Sequence, residues 1–232
     1  GEFSFSGTVT GELENPEIAG QVQGAGLVYQ DRPVGSFQGL AALSRERIQV
    51  NRLVWDYSGA QVEFAGSLGL TDWKASSTSP VAGSFRLRDV DAARLAGLAG
   101  VRDVQVSGLI TASGTLGGSV AAPRVDGGVQ VRRGELQGEP FDRIEAELAS
   151  MDNQLLLRRA VIKLPAGGIQ ASGAYTYAEH DARQGVFQFE ITSTGLALDK
   201  IRLAARRLPG ATAELRTHLF GALDIRPDGV RL

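Results

Sequence analysis

Between residues 61 and 70 apolar and polar positions alternate. Val62, Phe64, Gly66, Leu68 and Leu70 share one parity, and Gln61, Glu63, Ala65, Ser67 and Gly69 the other. A period of two is the signature of a strand with one covered face, whereas a helix would return its apolar residues at spacings of three and four. The same period runs through 104–116, where Val104, Val106, Ile110, Ala112 and Leu116 alternate with Gln105, Ser107, Thr111, Ser113 and Thr115. It recurs in Phe85 and Leu87, in Val129 and Val131, and in Phe187, Phe189 and Ile191. The pattern predicts an all-β chain of roughly 14 strands.

One interruption is informative. Ile48 and Val50 occupy even positions, then Leu53, Trp55 and Tyr57 odd ones; Leu155 and Leu157 give way in the same manner to Ala160, Ile162 and Leu164. A one-residue slip turns every later side chain to the opposite face unless a bulge or corner restores it. A slip made twice predicts a built-in bend with the apolar side kept inward on both limbs.

The two slips lie 107 residues apart, and so does much else. GTVTGELENPEIAG at 7–20 and GTLGGSVAAPRVDG at 114–127 share one skeleton, and residues 7–70 align with 114–177 without a gap. Ile169 and Tyr175 in the second copy stand where Val62 and Leu68 stand in the first. A repeat of this kind dictates architecture. Two stretches rich in Ala, Leu and Arg break the strand pattern. DVDAARLAGLAG (89–100) and LDKIRLAARRLPG (198–210) predict short helices, with Asp91 and Asp199 as candidate N-caps and Gly100 and Pro209-Gly210 as stops. The chain then divides into a first repeat (1–103), a second (104–210, its helix near 199–208) and the start of a third (211–232).

In the second copy, GTLGGSVAAPRVDGGVQVRRGELQGEPFDRIEAEL, a strand pair and GGIQASGAY follow one another. VDAARLAGLAG is followed by VSGLITASGT. In order and spacing these resemble the repeats of TamB and AsmA-like proteins, large envelope proteins of Gram-negative bacteria. The resemblance implies an elongated, bent β-sheet trough, taco- or solenoid-like, with an apolar lining. It also implies a parent protein anchored in the inner membrane, lying in the periplasm, and moving phospholipids between inner and outer membranes. For TamB it implies support of outer-membrane protein assembly through a barrel partner. The expected partners are thus phospholipid acyl chains, with the inner-membrane anchor and outer-membrane barrel met through parts outside these residues. The expected groove lining is Val62, Phe64, Leu68, Leu70, Phe85, Leu87, Val104, Val106, Ile110, Leu116, Val129, Val131, Ile169, Tyr175, Phe187, Phe189 and Ile191.

Composition changes this picture little. Aromatics are only 6% of the 232 residues, and inward positions include Gly20, Gly66, Gly114, Gly127, Gly173, Ala112 and Ala171. Small residues along a lining leave room for a guest. Burying an acyl chain of about 16 carbons at ~0.8 kcal/mol per CH₂ is worth roughly 10 kcal/mol before losses. The competing expectation is that the glycines only permit bends in a dry sandwich.

A net charge of −2 and the scattered pairs Arg132–Arg133, Arg158–Arg159 and Arg206–Arg207 give no basic face for nucleic acid. There is no cysteine, which removes thiolate chemistry, and no apolar run long enough for a helical membrane span. His180 lies in a polar loop and His218 in a strand, without metal-pair spacing; Asp142, Glu145 and Glu147 read as a solvated strand face. Ser76 and Ser77 sit in a turn, and LPAGGIQASG lacks the lysine of a phosphate cradle. No catalytic constellation, cofactor or metal site is expected. Two alternatives to a lipid trough remain: a β-solenoid adhesion or glycan-binding module, and a dry structural spacer.

Overall fold

The computed structural model describes residues 1–29, 32–57, 59–93, 106–178, 181–210, 212–226 and 229–231. The first repeat supplies β1 (Glu2–Glu12), β2 (Asn15–Tyr29), β3 (Arg32–Leu43), β4 (Arg47–Tyr57), β5 (Ala60–Gly69) and β6 (Val81–Asp91). The second supplies β7 (Leu109–Gly118), β8 (Pro123–Leu136), β9 (Glu139–Met151), β10 (Gln154–Leu164), β11 (Gly167–Ala178) and β12 (Asp181–Ser193). The remaining strands are β13 (Leu196–Ala197), β14 (Glu214–Leu215), β15 (His218–Arg226) and β16 (Gly229–Arg231). The fold is all-β. Fourteen strands form one open sheet in the order β1 through β12, then β15 and β16, while β13 and β14 pair with each other.

The repeated skeleton has a local cause. Gly11 and Gly118, its middle glycines, have φ of 88° and 87°, the left-handed region that glycine enters without a Cβ penalty. Each opens a turn so tight that a Cβ would lie 2.6 Å from the Asn15 carbonyl oxygen or 2.4 Å from that of Ala122. Both partners are again one repeat apart.

The phase slip is a β-bulge. Val50 faces Gly66 and Leu53 faces Phe64, so two residues of β4 oppose one of β5. Because Leu40 faces Arg52 and Ala41 faces Val50, the extra residue is Asn51. In β10 it is Arg158, between Leu157 facing Leu148 and Arg159 facing Glu147. Such an insertion raises the local twist and bends the strand, and it returns Leu53, Trp55, Ala160 and Ile162 to the apolar face.

Close contacts divide the chain into two units, Gly1–Val90 with Ser113–Val125, and Asp91–Ala112 with Asp126–Leu232. The division cuts through β7 and β8.

The later helix is present as a 3-10 turn at Leu198–Lys200 followed by helix α1 (Arg202–Arg207). Asp199 does not cap it: the residue lies inside the 3-10 turn, and neither N-cap position makes a side-chain hydrogen bond. The acceptor comes instead from β9, where the Glu139 carboxylate takes the backbone N–H of Arg202 at 3.1 Å and that of Leu203. A carboxylate at a helix N-terminus meets both the unpaired donors and the dipole. The earlier expected helix, 89–100, begins later than expected, because β6 continues through Asp91 and helical backbone starts at Ala92. Its remainder lies outside the described residues.

Candidate functional site

Residues directly opposite in an antiparallel pair share a face, so the registers can be read across strands as rows. In the first unit, Phe3, Gly24, Phe37, Trp55, Val62 and Leu87 form one row. Phe5, Val22, Gly39, Leu53, Phe64 and Phe85 form the next. Gly7, Gly20, Ala41, Val50, Gly66 and Gly83 follow, then Val9, Ile18, Leu43, Ile48, Leu68 and Val81. Four rows of six carry no polar side chain. The opposite face is polar; one of its rows reads Ser4, Gln23, Gln38, Val54, Glu63 and Arg86. There Glu63 lies 3.7 Å from Arg52 and 3.8 Å from Arg88.

No large side chain of these four rows is fully buried. Gly24 and Gly66 are, while Phe37, Trp55, Val62, Phe64, Phe85 and Leu68 are half-buried and Phe5 is 47% exposed. Closely packed β-cores bury such residues almost completely.

The glycines of the face are seats for rings. A Cβ on Gly20 would stand 2.8 Å from Phe5 Cζ, and one on Gly7 2.7 Å from the same atom. Phe64 lies over Gly66 and Gly83 likewise. The expectation that small residues leave room for a guest is therefore corrected at Gly20, Gly66 and Gly173: the space above them is taken by a phenylalanine of the same face. Such rings lie low along the sheet, as when aromatics cover glycines in designed sheets.

Above this pavement a cleft remains. It has a volume of about 360 Å³ and is bounded by Ile48, Val50, Phe64, Leu68, Val81, Leu116, Val120 and Pro123, with Ser67 and Ser119 the polar side chains among its lining residues. Its size lies within the ~300–1,000 Å³ usual for ligand clefts. The wall carrying Val120 is tied to the β5–β6 connection by the Val120 N–H donating to the Ser79 carbonyl at 3.0 Å and by the Pro80–Ser119 bridge.

The second unit repeats the scheme. Ile144, Ile162 and Ile169 make one row, ending at Ser193; Ala146, Ala160, Ala171, Ile191 and Leu219 make another. Leu148, Leu157, Gly173, Phe189 and Gly221 follow, then Ser150, Leu155, Tyr175, Phe187 and Leu223. Phe187 covers Gly173, Tyr175 covers Gly185, and Phe189 covers Gly221. Phe187 and Phe189 stack with ring centroids 6.0 Å apart.

Of the residues expected in the lining, Val62, Phe64, Leu68, Phe85, Leu87, Ile169, Tyr175, Phe187, Phe189 and Ile191 fall in these rows. Leu116 lines the cleft. Ile110, Val129 and Val131 are half-buried in β7 and β8, and Val106 makes an isolated bridge to Leu136. Leu70 is half-buried just beyond β5, where its N–H donates to the Glu46 carbonyl at 2.7 Å. It lines a second groove of mixed polar and apolar residues, with Arg45, Asp72, Ile18 and Leu43, rather than the apolar cleft. Val104 lies outside the described residues. Trp73 stands 39% exposed in the β5–β6 turn with φ of 68°.

The sequence reading missed Phe3, Phe5, Val22 and Phe37 in the first unit and Leu219 and Leu223 in the second. Their signal was alternation itself, broken by glycines whose place in the rows appears only once the register is known. His218 Nε2 and Glu190 Oε1 approach within 2.7 Å on the polar face, beside Phe220. Searches against protein-family models, curated proteins and solved structures found no match for this chain.

Proposed function

We propose that the apolar rows of each unit hold acyl chains, and that the protein is a segment of a β-groove that shields phospholipid tails as they pass between the inner and outer membranes of a Gram-negative envelope. The observation that carries this reading is the set of four cross-strand rows in the first unit, apolar throughout and without one fully buried large side chain.

A face of this kind loses free energy in water at about 25 cal/mol per Å² of apolar surface until something covers it. An acyl chain matches it because neither makes directional contacts. Successive rows offer nearly equivalent apolar surroundings, so a tail is retained without being locked at one position. In the first unit no hydroxyl, amide or charged group of the rows would hook a headgroup, which places the headgroup at the solvent side of the cleft; in the second, Ser150, Tyr175 and Ser193 stand only in the outermost rows.

The test is to purify the chain without detergent and extract it for mass spectrometry. Bound phospholipid, displaced by a fatty acid in competition, is the expected result. A lipid-free protein that also fails to take up a fluorescent fatty acid would sink the proposal in favour of a dry spacer.

A further inference from the structure

We infer that the corner of the second unit built around α1 docks on an anionic phospholipid surface. Six residues are too few for a helix to hold itself together in water, and α1 buries none of its residues. Among the described residues, its hydrogen bonds to the sheet are made at its first turn. The Glu139 carboxylate accepts the Arg202 and Leu203 N–H groups, and the Arg202 guanidinium donates to Glu135 Oε1 at 2.9 Å and to the Gly138 carbonyl at 3.2 Å. Only Ala204 of the helix is half-buried; Leu203 is 58% exposed and Leu208, just past the helix, 56%. An ordinary surface helix turns its leucines to the core; this one presents Leu203, and Leu208 follows it exposed.

Charge selects the occupant. Residues 198–210 hold Lys200, Arg202, Arg206 and Arg207 against Asp199 alone, in a chain whose net charge is −2. Arg202 is engaged by glutamates, which leaves Lys200, Arg206 and Arg207 as the outward cations. Leu203, Arg206 and Arg207 stand at i, i+3 and i+4 and so share one face of α1. Leucine beside guanidinium is the composition of an interfacial contact, in which the apolar side chain enters the headgroup boundary while the cations meet phosphate. This inference is independent of acyl binding in the rows.

Co-sedimentation with vesicles tests it, using phosphatidylcholine alone and phosphatidylcholine containing one third phosphatidylglycerol. Binding to the anionic vesicles at low salt, lost at high salt and absent with neutral vesicles, is expected. Arg206→Gln with Arg207→Gln should weaken it roughly tenfold or more, and Leu203→Gln with Leu208→Gln should also weaken it. Both pairs should keep the parent circular dichroism and melting temperature, since all four side chains are exposed. Ser84→Glu, on the exposed face of β6 in the other unit, should leave vesicle binding unchanged. No binding, equal binding to neutral vesicles, or binding that survives all four substitutions would overturn the inference. So would self-association through Leu203 and Leu208 without vesicle binding.

Discussion

The ring of Phe64 occupies the space in which Gly66 would carry a side chain: a Cβ there would lie 2.8 Å from Phe64 Cζ and 2.6 Å from the Ala82 carbonyl oxygen. The ring also reaches the cross-strand Gly83, whose Cβ would lie 3.2 Å from Cε2. Gly66→Ala therefore meets both a ring and fixed backbone and should cost ~1–3 kcal/mol. At Gly221 the atoms met are those of the Phe189 ring, the nearest at 3.1 Å. Because that ring can tilt, Gly221→Ala should change stability by less than ~1 kcal/mol. Urea midpoints of the two variants, compared at constant m-value, decide the matter.

A carboxylate in the lining separates a groove from a dry core. Phe64→Glu should abolish lipid uptake while the protein still unfolds cooperatively, because the half-buried position lets the charge reach water. Ser84→Glu, on the exposed face of β6, should leave uptake intact. If Phe64→Glu instead produces an unfolded chain, as an unpaired charge in a closed interior would, the face is packed rather than open.

Asn51 is the surplus residue of its bulge, so deleting it leaves Val50, Arg52 and Leu53 in strict alternation with every apolar side chain on its original face. This variant should fold, within ~2 kcal/mol of the parent. Deleting Val54 instead carries Trp55 to the polar face and Asp56 to the apolar one. In a Trp73→Phe background, the emission of Trp55 should stay near the parent wavelength in the first deletion and shift to the red in the second.

Glu139→Ala removes the acceptor at the N-terminus of α1. A lost cap of this kind is worth about 1 kcal/mol, and here the effect should be local. Amide exchange at Arg202 and Leu203 should accelerate while that of β10 and β11 is unchanged. Acceleration throughout the sheet would show that α1 is coupled to it more widely than its contacts indicate.

Strand content and apolar parity were legible in the sequence because they are written residue by residue in the alternation around Phe64, Phe187 and Phe189. The paired slips at Asn51 and Arg158 were legible because the repeat stated them twice. The capping of α1 was not: Asp199 stood in the right place locally, but the acceptor comes from Glu139, about 60 residues earlier in the chain. The seating of rings on glycines was also hidden. It depends on which glycine lies across from which phenylalanine, a matter of register between strands that composition cannot express.

In the main sheet, each strand from β2 to β11 bonds to the strands just before and after it, and β12 pairs with β15 beyond the excursion that carries α1. From β1 to β12, assembly thus does not wait on a remote segment to arrive. Hairpins can close in the order in which they emerge, each offering an edge to its successor, with little loop entropy lost at any step. A chain of this kind could be lengthened by whole repeats without changing how any of them folds, so that its span becomes a matter of copy number rather than of new design.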